Sequence, residues 1–139
     1  MAAKVAYQNY DKTSDYLTMQ TNILKQIGNY CAEKLNACDI RVHAPEGGFY
    51  LFPDFSIYKK KLHTKGIKSS NDLCQQLLKD TGVVLLPASA FGFDQNYLAA
   101  RLAYVDFKEP GLDGSFDVKV NCPNVIQGID KICDWISNL

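Results

Sequence analysis

The sequence predicts an α+β domain in which a small, mostly antiparallel sheet packs against helices. Apolar residues recur at helical spacing in three segments, and short apolar or alternating runs bounded by proline or glycine separate those segments. The resulting order is helix, two strands, helix, two strands, helix, which does not alternate strictly as a parallel α/β sheet would. With 139 residues the chain has the length of one domain, which we expect to span residues 1–139.

Three helices are predicted from apolar spacing and from residues that favour helix ends. The first covers residues 16–35, where apolar side chains recur every three or four positions. The second begins after Ser69 or Ser70, both good N-caps, and ends at Gly82, which suits the position after a helix. The third begins at Pro123, because proline is favoured in the first turn of a helix.

Four short strands are predicted between these helices, at residues 40–43, 49–52, 83–86 and 98–105. The turn Pro-Glu-Gly-Gly at residues 45–48 joins the first two. Phe49, Tyr50 and Phe52 follow this turn on alternating faces. We expect these aromatic side chains to belong to the core rather than to form an exposed stacking platform.

Arg101 is an unusual residue for its surroundings. Of the 15 Lys and Arg residues only Arg41 and Arg101 are arginines, and Arg101 lies within an apolar strand pattern. A guanidinium in such a place needs an anion, and its fixed fork of donors suits a carboxylate better than an ammonium does. The strand pattern alone favours an internal ion pair with an Asp or Glu over a bound ligand.

Composition and charge indicate which binding partners, metal sites and cellular compartment to expect. The net charge is zero, which favours neither a nucleic acid nor an anionic membrane as partner. No apolar run approaches the roughly 18 residues of a membrane span. Five cysteines without CxxC spacing and only two histidines do not predict a zinc site. The cysteines favour a reducing compartment, either the cytoplasm or an organelle of similar redox poise, and we expect the cytoplasm.

Three ordered segments resemble motifs of one enzyme family. Residues 45–52 read PEGGFYLF and resemble the PxGGFYLF strand of the class I/II aminotransferases, fold-type I pyridoxal-phosphate enzymes of the aspartate aminotransferase superfamily. Residues 81–92 read TGVVLLPASAFG and are similar to the family's GVxxxPGxxFG segment. Residues 98–107 are similar to its RLxYVxF strand. The resemblance extends over nearly the whole chain, but only to the C-terminal small domain of these enzymes.

The resemblance implies roles for individual residues. Arg101 aligns with the family arginine that binds the α-carboxylate of the substrate, and with the motifs included we favour this role over the internal ion pair. The loop that contains Ser89, Phe91 and Gly92 would lie at the mouth of the active site. Ala88 stands where the family usually has glycine.

The resemblance also implies what this chain lacks. In these enzymes a large domain, earlier in sequence, carries pyridoxal phosphate on a lysine, and residues 1–139 leave no room for it. The complete enzyme would transfer an amino group between an amino acid and a 2-oxo acid, with the large domain and a homodimer partner completing it. We expect no catalytic residue in this chain, no pyridoxal phosphate bound to it alone, and no activity. The alternative is a non-catalytic binding or interaction module that kept the small-domain fold.

A separated small domain would expose the apolar faces that otherwise meet the large domain or a second subunit. The candidates for such a surface are Tyr7, Tyr10 and Tyr16, together with residues 88–93. The motifs do not distinguish aspartate, aromatic and alanine transaminases.

Overall fold

The computed structural model describes residues 4–5, 10–111 and 115–139, with backbone only for 10–12, and residues 4–5 are helical. Five further α-helices lie within the described residues 10–111 and 115–139. They are α1 (Tyr10–Ala37), α2 (Lys59–Thr64), α3 (Ser70–Thr81), α4 (Val118–Asn121) and α5 (Pro123–Ser137). Two 3₁₀ helices, Ser56–Tyr58 and Ala88–Phe91, complete the helical elements. No helix among these described residues is both long and apolar enough to cross a membrane.

A three-stranded antiparallel sheet lies among these helices. Its strands are β1 (Tyr50–Leu51), β2 (Leu86–Pro87) and β3 (Ala100–Ala103). Strand β3 is central, and it pairs antiparallel with β1 on one side and with β2 on the other. The predicted fold class, a small antiparallel sheet packed against helices, is therefore confirmed.

The predicted helix ends are largely confirmed. Ser69 is the N-cap of α3, where its hydroxyl accepts from the amide of Asp72 and the Asp72 carboxylate accepts from the amide of Ser69. Gly82 ends this helix in the left-handed conformation with φ +75°, which suits glycine. Pro123 occupies the first turn of α5. Helix α1 begins at Tyr10, earlier than predicted, because extending a formed helix adds a hydrogen bond without a new nucleation cost.

The predicted strand at residues 40–43 is wrong, and a single side chain explains why. The amide group of Asn36 takes up both backbone groups of Val42, accepting from its N–H at 3.1 Å and donating to its carbonyl at 2.9 Å. These groups are then unavailable for a strand ladder. Only an isolated bridge between Arg41 and Asp54 remains.

The strand predicted at residues 83–86 is shorter than expected for a related reason. The hydroxyl of Thr81 accepts from the amide of Val83 at 3.1 Å, so this amide is used locally at the end of α3. Regular pairing with β3 starts only at Leu86. The strands predicted at 49–52 and 98–105 also shorten to β1 and β3.

One hydrophobic core joins the sheet to the helices. The inward face of β3 contributes Ala100 and Leu102, which are 0% and 5% exposed. Helix α5 packs against both α1 and α3. The largest fully buried side chains come from the helices and from the segments that connect the elements, and they include Ile27, Leu35, Phe55, Leu73, Leu98, Tyr104, Ile129, Ile132 and Ile136.

Candidate functional site

The register of the sheet places Arg101 on the face that points away from the core. Leu86 of β2 lies directly opposite Arg101, and Tyr50 of β1 lies opposite Ala103. Residues two apart on a strand share a face, so Arg101 and Ala103 point to the same side and Tyr50 is a diagonal neighbour of Arg101. We call Tyr50, Leu86, Arg101 and Ala103 the outer face of the sheet. Arg101 itself is half-buried there.

Two aromatic rings lie over the guanidinium of Arg101. Its Cζ atom is 4.2 Å from the centre of the Tyr50 ring and 4.5 Å from the centre of the Phe91 ring. Both distances fall within the range of about 6 Å over which a cation is attracted to an aromatic face. Tyr50 belongs to β1, and Phe91 belongs to the 3₁₀ helix that directly follows β2.

No carboxylate partner of Arg101 is found within the described residues. The ion pair seen in this part of the chain joins Lys34 to Asp130 at 4.0 Å, on the surface. The internal ion pair considered from the sequence therefore has no counterpart in the described structure. The N–H donors of a guanidinium lie in its plane, and no carboxylate of the described residues pairs with those of Arg101.

The loop predicted to line the site is fixed by hydrogen bonds to the first residue of α3 and to the residue before β3. The hydroxyls of Ser70, which is fully buried, and Ser89 hydrogen-bond at 3.1 Å, and the amide of Ser89 also donates to Ser70 Oγ at 3.3 Å. The amide of Ala88 donates to the carbonyl of Ala99 at 3.0 Å. Gly92 then ends the 3₁₀ helix at φ +82°. Of the three predicted loop residues, Phe91 contacts Arg101, while Ser89 faces α3 and Gly92 forms the turn.

The expectation that Phe49 and Tyr50 belong to the core is wrong. They are 37% and 41% exposed, and their ring centres lie 4.2 Å apart. Phe52 is half-buried, and its ring centre lies 5.1 Å from that of Phe93. The alternation with buried Leu51 already assigns Tyr50 to the opposite face. Its contact with Arg101 depends on the register with β3, which the sequence does not reveal.

Apolar side chains are exposed around the loop, as predicted for residues 88–93. Phe91 and Phe93 are 40% and 49% exposed, whereas Ala88 is buried. Tyr16 on α1 is also exposed. Tyr7 and the side chain of Tyr10 lie outside the described residues.

Comparison with known protein families shows which family this chain belongs to. The family model described as "Aminotransferase class I and II" matches residues 1–106. The chain belongs to this family. An aspartate aminotransferase of Rhizobium meliloti is 32% identical over 106 residues, which is 74% of this chain and 25% of that protein. A probable aspartate/prephenate aminotransferase of Aquifex aeolicus (strain VF5) is 34% identical over 109 residues, 78% of this chain and 26% of its own.

Solved aminotransferase structures share the fold. A Thermus thermophilus aspartate aminotransferase, the variant called tetra mutant 1, superposes with a TM-score of 0.66 at 17% identity. The superposition covers 93% of this chain and 28% of the Thermus chain. The chain thus spans about a quarter of the length of the curated aminotransferases that it matches.

Membership in this aminotransferase family implies pyridoxal phosphate as cofactor of the complete enzyme. A lysine that holds a cofactor as a Schiff base is activated by enclosure or by a neighbouring charge. Every lysine side chain that the structure describes is exposed to solvent. The described residues therefore do not fit this cofactor by themselves. Nor do those residues contain a cluster of three His, Cys, Asp or Glu side chains that would hold a metal ion.

Proposed function

We propose that this chain is the small domain of a pyridoxal-phosphate-dependent aminotransferase, and that Arg101 binds the α-carboxylate of its substrate. The observation that carries the proposal is the guanidinium on the outer face of the sheet, which has no carboxylate partner among the described residues. Substrates of this class are an amino acid and a 2-oxo acid. Both carry the carboxylate that the proposal requires.

The chemistry of arginine suits this role. Two parallel N–H donors of a guanidinium match the two oxygens of a carboxylate, so a single residue fixes both position and orientation. An amino acid held in this way presents its Cα–H bond in one direction. Orientation of this kind can lower a barrier by several kcal/mol, as an order of magnitude.

A large domain outside residues 1–139 is proposed to supply the cofactor and its lysine. The cofactor, when bound there, provides the electron sink for the reaction at Cα. The relatives support a substrate with carboxylates: two are named for aspartate or prephenate, and one Thermus thermophilus aspartate aminotransferase structure was solved with maleate, a dicarboxylate. Assembly of the complete enzyme as a homodimer, and its location in the cytoplasm, stay predictions.

Titration of the chain with succinate tests the role of Arg101. We expect saturable binding by the wild type, and none with the uncharged succinamide, because the guanidinium recognises charge and geometry together. Arg101→Leu should abolish binding. Arg101→Lys should weaken it about tenfold or more, since an ammonium lacks the fork of donors. Isothermal titration calorimetry or NMR titration measures all of these.

Arg41→Lys is the matched control, because Arg41 is the other arginine of the chain and is exposed. This variant should bind succinate as the wild type does. Equal binding by wild type and Arg101→Leu would contradict the proposal. That outcome would favour the alternative, a non-catalytic module that kept the small-domain fold.

A further inference from the structure

We infer that Tyr50 and Phe91 are positioning residues, which hold the guanidinium of Arg101 ready for a carboxylate before the ligand arrives. The inference rests on the proposed function and assigns to it two side chains that touch the arginine rather than the substrate. Neither ring is needed for the core, since Tyr50 is 41% and Phe91 40% exposed.

The two rings reach Arg101 from different sides of its strand. Strand β3 is central, with β1 along one edge and β2 along the other. Tyr50 comes from β1, and Phe91 comes from the 3₁₀ helix that continues β2. The Arg101 side chain thus lies between aromatic groups supplied by both neighbours, at 4.2 and 4.5 Å from its Cζ atom.

Contacts of this kind leave the binding groups of arginine available. An aromatic ring attracts the flat face of a guanidinium through its π electrons, whereas the N–H donors point outward in the guanidinium plane. The rings therefore restrict the rotamers of Arg101 without occupying its donors. A long side chain that is already restricted loses less conformational entropy when a ligand binds.

Each ring is itself held in place by contacts on the other side. Phe91 lies two residues after Ser89, which is hydrogen-bonded to the buried Ser70. The Phe91 and Phe52 rings form a T-shaped pair with centres 6.2 Å apart. The Tyr50 ring lies against that of Phe49. The ring positions are thus set by the fold rather than by the ligand.

The chain offers a direct spectroscopic test, because Arg41 and Arg101 are its only arginines. Their side-chain Nε–H groups give two signals in a ¹⁵N-edited NMR spectrum at mildly acidic pH. We expect the Arg101 Hε signal to lie upfield of the Arg41 signal, as ring currents require. Tyr50→Leu and Phe91→Leu should each move it toward the Arg41 signal, and Tyr50→Phe should leave it unchanged.

Phe93→Leu is the matched control. Phe93 is an exposed aromatic residue of the same loop, but its ring contacts Phe52 and Tyr97 at 5.1 and 5.7 Å. This variant should keep the Arg101 signal in its wild-type position. A dispersed backbone amide spectrum in every variant establishes that the fold is retained.

Succinate titration followed at the same signal tests the consequence for binding. Tyr50→Leu and Phe91→Leu should raise the Kd about threefold to tenfold, while Tyr50→Phe and Phe93→Leu keep the wild-type value. Coincident Arg41 and Arg101 signals in the wild type, or unchanged signal and Kd in both leucine variants, would overturn the inference. An upfield Arg101 signal that never responds to succinate would instead overturn the proposed carboxylate role.

Discussion

Gly28 shows how a single residue sets the position of the site. It lies in α1, and a Cβ added there would be 2.5 Å from Pro45 Cγ and 2.8 Å from Tyr104 Oη. The absent side chain thus lets the turn before β1 pack directly on the helix. Gly28→Ala should lower the free energy of unfolding by about 1–3 kcal/mol, since the strain outweighs the better helix propensity of alanine. Urea denaturation measures this change.

Gly128 in α5 provides the matched control for that substitution. The nearest atom to a Cβ at Gly128 is Val83 Cγ2 at 4.0 Å, an ordinary contact. Gly128→Ala should therefore raise the free energy of unfolding by about 0.5–1 kcal/mol. A stabilised Gly28→Ala variant would show that Pro45 can move away without cost.

At the same scale, the sequence indicates that Arg101 is a candidate site residue, but it does not reveal which side chains surround it. A lone arginine within an apolar strand, flanked by family motifs, is visible in the sequence. Its aromatic neighbours are not, because the diagonal contact with Tyr50 depends on how two distant strands align. The sequence predicts Phe91 near the site through its loop, but it predicts Tyr50 in the core.

The N-terminus of α3 is the clearest case at the scale of an element. Ser69 and Asp72 satisfy each other's backbone amides there. Ser69→Ala should lower the free energy of unfolding by about 1 kcal/mol, as loss of an N-cap does. Ser137→Ala, an exposed site away from any N-cap, should change it by less than about 0.5 kcal/mol. A loss in Ser69→Ala no larger than in Ser137→Ala would contradict the capping role.

This cap also makes the free energy of unfolding depend on pH, in a direction that follows from the pKa of Asp72. The hydrogen bond from the Ser69 side chain, followed by that from the Lys68 amide, lowers the pKa of Asp72 below its usual value of 3.8. A lowered folded-state pKa contributes stability that is present above pH 3.8 and is lost as the pH falls through the folded-state value. The difference between wild type and Ser69→Ala should therefore shrink in acid. A difference independent of pH would exclude this coupling.

Helices were better predicted than strands, for a physical reason. The ends of α3 and α5 depend on local chemistry at Ser69, Gly82 and Pro123, which the sequence displays directly. Whether a strand forms depends on which backbone N–H and C=O groups remain free to pair with a neighbouring strand. Asn36 and Thr81 take up amides that a strand would need, and those side-chain contacts are set by the folded chain.

At the scale of the whole molecule, the chain holds a candidate substrate arginine but no enclosed lysine among its described residues. Supplied with pyridoxal phosphate, an amino acid and a 2-oxo acid, it should therefore transfer amino groups no faster than free cofactor does. Chromatographic measurement of the product amino acid checks this. Arg101→Leu is the control and should show the same background. Saturable transfer by the wild type that Arg101→Leu abolishes would refute the expected inactivity.

The lack of a described carboxylate partner for Arg101 has an evolutionary consequence. Its strand neighbours Ala100 and Leu102 are buried, so changes there are opposed by folding in any descendant of this gene. Arg101 is half-buried and lies outside the core, so under the proposed function it is selection for ligand binding that preserves the arginine. Three adjacent positions are thus kept for two different reasons, folding at Ala100 and Leu102 and the proposed ligand binding at Arg101. A lineage that lost the proposed reaction would keep Ala100 and Leu102 and would accumulate substitutions at Arg101.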